Sequence, residues 1–224
     1  MPNFDIVRKS DLSNSFATAK VKGMFDIQNN VIQERFTGQI DIPNDWNIGV
    51  IVGPSGTGKT TIAKELFVDS YFLEPAFDKN SVIDDMPVKD VELITKTFNA
   101  VGFSSPPSWL KPYSVLSNGE KMRVQIAYAL LQEKDLIAFD EFTSVVDRNV
   151  AQIGSAALAK TIRRNNKQFI AVSCHYDILD WLEPDWVFDT KEMKAQKKTT
   201  NAQISKSTYT NKRDNGIYLE SIII

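Results

Sequence analysis

Ile48-Gly-Val-Ile-Val-Gly-Pro-Ser-Gly-Thr-Gly-Lys-Thr60 begins as a short β-prone run and breaks into a glycine-rich loop. Gly53 to Thr60 matches G-x-x-x-x-G-K-[ST], placed between a predicted strand and a predicted helix, Thr60 to Val68. The chemistry of phosphate binding needs this arrangement. Glycines let backbone N–H groups curl around a β-phosphate, and the following helix aims its positive end at the anion. The nucleotide-binding set is therefore Gly53, Pro54, Ser55, Gly56, Thr57, Gly58, Lys59, Thr60 and Thr61. Lys59 reaches the β- and γ-phosphates, and the Thr60 hydroxyl ligates Mg²⁺. ATP and Mg²⁺ are the expected cofactors.

Downstream, Asp135–Phe139 and Gln168–Ser173 are further apolar runs of strand length without alternation. Such runs suit strands buried on both faces, as in a parallel sheet covered by helices. Lys121–Gln132 and Ala151–Arg164 read as helices between them, so the class is α/β. The second strand ends in Asp140-Glu141. A carboxylate at that position holds Mg²⁺ in phosphate-loop enzymes, which makes Asp140 a metal ligand beside Thr60 and leaves Glu141 to polarise the attacking water. The third strand runs into Ser173-Cys174-His175, which carries the only histidine. Strand ends are where α/β sheets place ligand sites, so His175 is expected at the γ-phosphate. A lone histidine is more often structural, and a pair of strand-tip acids is by itself weak.

Residues 1–45 read as short strands with turns at Asn29-Asn30 and Pro43-Asn44, suggesting an antiparallel N-terminal sheet. Residues 71–115 are mixed and proline-containing, with one helix near Asp90–Ala100, suggesting a small inserted helical subdomain. Composition is that of a globular protein, 42% hydrophobic and 24% charged, with a net charge of −2 that gives no overall pull toward nucleic acid or membrane. No run approaches the ~20 apolar residues that span a bilayer, and the N-terminus lacks the apolar region of a signal peptide. The single cysteine, Cys174, excludes an internal disulfide framework. A cytoplasmic protein is expected. From Lys191 to Gly216 the chain carries seven Lys/Arg against two acidic residues. A nucleic-acid contact there competes with the plainer reading of a solvated terminus.

Leu116-Ser-Asn-Gly-Glu120 precedes the helix at Lys121, and Ser117-x-x-Glu120 is also a capping box, a start common to helices in general. Taken in order, the phosphate loop, this LSxGx motif, the hydrophobic-Asp-Glu strand, Ser144-Val-Val-Asp147 and His175 resemble the ATP-binding cassette (ABC) family. The resemblance covers roughly residues 15–190, with the helical subdomain at about 71–128. It implies a cassette domain over residues 1–190 followed by a basic tail, 191–224. It implies Glu141, His175 and Lys59 as catalytic residues and Asp140 as a Mg²⁺ ligand. It further implies an ATP-dependent head-to-tail homodimer in which Ser117 and Gly119 of one copy complete the site of the other. A family aromatic stacks on adenine, and Phe25 sits near that place.

The chain departs from the family in places. Asn118 and Glu120 replace the usual Gly and Gln of the signature, and residues 62–116 contain no glutamine, so the loop glutamine that couples cassettes to transmembrane helices is missing. Glu74 is a candidate stand-in. Ser81–Asp85, Val101–Trp109 and Phe142–Asp147 are similar in wording to bacterial and phage soluble ATPases often joined to an acetyltransferase-like domain, which makes such a domain, or another protein, a candidate partner. The expected function is an ATPase that drives conformational change on a partner or nucleic acid. The alternative is the ATP-binding subunit of a membrane transporter.

Overall fold

The computed structural model describes residues 3–29 and 31–197; most of the basic tail lies outside them. A five-stranded sheet in the order β4-β5-β3-β6-β7 forms the centre, built from β3 (Ile48–Val52), β4 (Leu136–Phe139), β5 (Gln168–Ser173), β6 (Trp186–Asp189) and β7 (Lys194–Lys197). The first four strands are parallel and β7 runs antiparallel to β6. A separate two-stranded antiparallel sheet pairs β1 (Asn3–Asp11) with β2 (Val31–Gln39). The fold is α/β with a mostly parallel sheet, as expected from the unalternating apolar runs.

Alternation along those runs divides the interior into two cores. Ile48, Val50 and Val52 of β3 join Ile137, Phe139, Phe169 and Ala171 on one face. That face is covered by α3 (Val91–Ala100), the short α4 (Pro106–Trp109), α5 (Asn118–Leu131), α6 (Arg148–Arg164) and α7 (Ile178–Leu182). Ile51, Ala138, Ile170 and Val172 point the other way and meet α2 (Lys59–Leu66) together with Phe4 and Ile6 of β1. Residues 71–128 therefore share a core with the sheet: Ile94 and Phe98 of α3 pack in the cluster that holds Phe139 and Phe169.

Several elements differ from the sequence reading. The N-terminal region holds two nine-residue strands, and between them lies a helix, α1 (Phe16–Met24), that the reading did not include. None of its residues is buried, so no apolar stripe announces it; its sequence signal is the Ser15 cap, whose side chain accepts from the Thr18 N–H. Strands β6 and β7 were also missed. β7 lies past residue 190, where the reading began the tail, because a polar Lys-Ala-Gln-Lys edge strand looks like tail composition. Helix boundaries elsewhere agree within three residues. α5 starts earlier, at Asn118, because the capping box begins it.

Candidate nucleotide site

Strands β3, β4, β5 and β6 run parallel, so their C-terminal ends open at one edge of the sheet. Gly53 follows β3, Asp140 follows β4, His175 lies two residues beyond β5, and Thr190 follows β6. The loop after β3 turns through Gly56 (φ 80°) and Gly58 (φ 86°), a left-handed backbone that side chains rarely adopt. Close packing demands glycine at 58 as well. A Cβ there would lie 2.5 Å from the ring of Phe36 on β2. Lys59 Nζ donates to the Pro54 carbonyl at 2.8 Å, folding its ammonium back over the loop. The Thr57 hydroxyl contacts that carbonyl at 2.8 Å and Thr190 Oγ1 at 2.5 Å. Thr60 and Thr61 occupy the first turn of α2, and Ser55 is exposed at the tip.

Three residues here escaped the sequence reading. Thr190, buried beneath Gly53, also donates to the Val52 carbonyl at 3.2 Å and so braces the loop from β6. Arg8 on β1 donates to Thr61 Oγ1 at 3.0 Å, bringing a cation to the first turn of α2. Phe36 lies against the loop, whereas Phe25 sits 70% exposed at the end of α1. Phe36 had a legible signal, an aromatic in a β-prone run; the other two depend on contacts more than fifty residues away.

The turn after β4 is built around two carboxylates. Asp140 Oδ1 accepts from the Glu141 N–H at 2.8 Å, and Oδ2 from the Tyr71 hydroxyl at 2.6 Å. Burial, reinforced by that hydrogen bond, pushes the Tyr71 phenol up, so it is a donor at neutral pH. Glu141 is exposed and has φ 52°, a backbone cost of roughly 1–3 kcal/mol of the sort that gathers at functional sites. Its neighbour Phe142 is fully buried. Ser173 at the end of β5 ties the second and third strand ends together. Its hydroxyl donates to the Phe142 carbonyl at 2.9 Å and accepts from the His175 N–H at 3.2 Å. Arg148 pairs with Asp177, holding the segment after Glu141 to the chain beyond His175.

The donors available for a cation are hard oxygens, the Thr60 hydroxyl and the Asp140 carboxylate, and among the described residues no group of three or more His, Cys, Asp or Glu side chains converges. That set fits Mg²⁺, which is commonly bound by few protein oxygens together with substrate phosphates.

A cavity of about 270 Å³ beside this turn brings Glu74 and Gln125 together with Asp140 and Glu141. Tyr113 donates to Glu74 at 2.8 Å and accepts from Gln125 at 2.8 Å, and Phe77 stacks on its ring. Residues 62–116 supply no glutamine to this cavity; the one that lines it, Gln125, comes from α5. Glu74, the candidate stand-in, shares the same cavity.

Ser117 and Gly119 open α5 elsewhere. The capping box is formed: Glu120 accepts from the Ser117 N–H at 3.0 Å, a bond that holds its carboxyl below the ordinary range. No hydrogen bond joins residues 117–120 to residues 53–61 among the described residues, and the N–H groups of Asn118 and Gly119 take no acceptor there.

No protein-family model matches the chain. A 136-residue stretch is 30% identical to an uncharacterized ABC transporter ATP-binding protein of Haemophilus influenzae, covering 47% of this chain and 55% of that protein. Another, of 141 residues, is 30% identical to the energy-dependent translational throttle protein EttA of Mycobacterium tuberculosis, over 51% of this chain and 25% of that one. The chain therefore spans about half or less of the length of these relatives. Among solved structures, a dimeric post-hydrolysis ATP-binding cassette bound to ADP and Pi superposes with a TM-score of 0.59 at 14% identity, over 86% of this chain and 98% of that one. A cassette of an ABC transporter in its ADP conformation superposes at 0.51 and 14% identity, over 83% of this chain and 87% of that one.

Proposed function

We propose that this chain, which has the ATP-binding cassette fold and a relative named as an ABC transporter ATP-binding protein, binds MgATP at its phosphate loop and hydrolyses it between two copies of itself. The observation that carries this reading is the placement, at one end of the parallel strands, of Lys59 at the start of α2 and of Asp140, Glu141 and His175 just after β4 and β5. In it, Lys59 meets the β- and γ-phosphates once ATP displaces its bond to Pro54. Thr60 and Asp140 would hold Mg²⁺, which supplies charge neutralisation on the phosphates. Glu141 takes the proton of the attacking water and His175 faces the γ-phosphate. Ser117 and Gly119 act across the dimer, where the unpaired N–H groups at the start of α5 suit a γ-phosphate brought by the other copy. The energy is spent on a partner protein, with an acetyltransferase-like domain among the candidates, or on nucleic acid.

Lys59→Ala tests the site. Charge-assisted contacts contribute roughly 1.5–3 kcal/mol, so nucleotide affinity measured by titration falls about ten- to a hundredfold. Unchanged affinity refutes the assignment. A second reading, a transporter's ATP-binding subunit, is favoured by the name of the Haemophilus relative. No helix of the described residues is long and apolar enough to cross a membrane, so that reading places the membrane helices outside these residues. Copurification with a permease, or with nucleic acid, separates the two.

A further inference from the structure

We propose that Tyr71 is a positioning residue for the cation site, its hydroxyl holding the Asp140 carboxylate in the orientation that receives the metal. The inference rests on the reading of Asp140 given above and adds a residue to it. An aspartate's terminal torsion is broad and roughly two-fold, so its oxygens have no fixed direction of their own. Here each is held by a separate donor: Oδ1 by the Glu141 N–H at 2.8 Å and Oδ2 by Tyr71 at 2.6 Å. Together the two fix the carboxylate plane. A carboxylate has about four acceptor sites, so two donors leave room for a cation.

Tyr71 is itself held on the backbone. It bridges Ala138 in parallel, the Phe72 N–H donates to the Ala138 carbonyl at 2.8 Å, and the Ala138 N–H donates to Ser70 at 2.8 Å. Residues 70–72 thus extend the sheet beyond the outer edge of β4, two residues before Asp140. The ring is half-buried, with Lys64 Nζ 5.2 Å from its centroid. Lys64 belongs to α2, whose first turn carries Thr60. The segment leaving the phosphate-loop helix therefore reaches across to set the second cation ligand, and a single hydroxyl makes the link.

Tyr71→Phe removes that hydroxyl and keeps the ring under Lys64. ADP binding is titrated with EDTA and then across a range of Mn²⁺ concentrations, with Mn²⁺ uptake followed by electron paramagnetic resonance. The metal concentration that half-saturates the protein–ADP complex should rise about ten- to a hundredfold, the usual effect of removing a partner of a metal ligand. Affinity for ADP in EDTA and the melting temperature should match wild type. Half-saturation that is unchanged or lower overturns the proposal; the lower value would mean that the hydroxyl competes with the cation. An equal loss of affinity in EDTA also overturns it, because it marks a structural role. A wild-type protein whose ADP affinity ignores the metal overturns the Asp140 reading and this one with it. A metal-dependent wild type matched by the variant overturns this one alone.

Discussion

Glu141→Gln should bind MgATP as wild type does while turning it over about 10²–10⁴-fold more slowly, the usual range for loss of a positioned general base. The amide keeps the size of the side chain and its exposed place after Asp140 but cannot take up a proton. The φ of 52° at this residue is a property of the backbone, and the turn is held by the Ser144 N–H on the Glu141 carbonyl at 3.0 Å, so the substitution leaves the loop intact. If hydrolysis opens the interface between two copies, the variant also accumulates as a dimer at saturating MgATP. Light scattering with and without ATP reads this directly. A variant that stays monomeric sinks the shared-site mechanism and leaves a nucleotide binder; one that hydrolyses ATP at the wild-type rate removes Glu141 from the chemistry.

Phe142→Ala should lose about 3–5 kcal/mol of stability in denaturant titration, the range for deleting a buried phenylalanine. The ring is fully buried between Phe139, at 6.2 Å, and Phe169, at 5.7 Å, both in edge-to-face contact. Its backbone joins β5 through the N–H to Val172 at 2.9 Å and the carbonyl to Ser173 at 2.9 Å. The cavity cannot collapse without pulling on the turn that carries Glu141. Given a total stability of roughly 5–15 kcal/mol for a domain, that loss is a large share. Val145→Ala, three residues away but 67% exposed, serves as the control and should change stability by less than about 0.5 kcal/mol. Equal melting of the two variants would contradict the packing described for Phe142.

Strands β3, β4 and β5 were legible because each is largely buried and writes that burial as an unbroken apolar run; β5 occupies the residues read for it, Gln168–Ser173. The phosphate loop was legible because its backbone demands glycine at fixed places. Helix α1 was hidden by having no buried face, and β7 by being a polar edge. Tyr71, Thr190 and Arg8 were hidden for another reason. Each acts through side-chain hydrogen bonds to residues 53 to 138 positions away, and no local pattern encodes such a partner. The capping box read at Ser117 and Glu120 is formed, and the N–H groups of the two residues between them take no acceptor among the described residues.

The strand that feeds the phosphate loop is the third of five, hydrogen-bonded to β5 on one side and β6 on the other. Amides in such a position exchange with solvent only when the domain comes apart, since no edge of the sheet can fray to free them. The root of the nucleotide site is therefore part of the most slowly opening unit of the chain. Bound nucleotide must then protect the whole domain by mass action rather than stiffen one local segment.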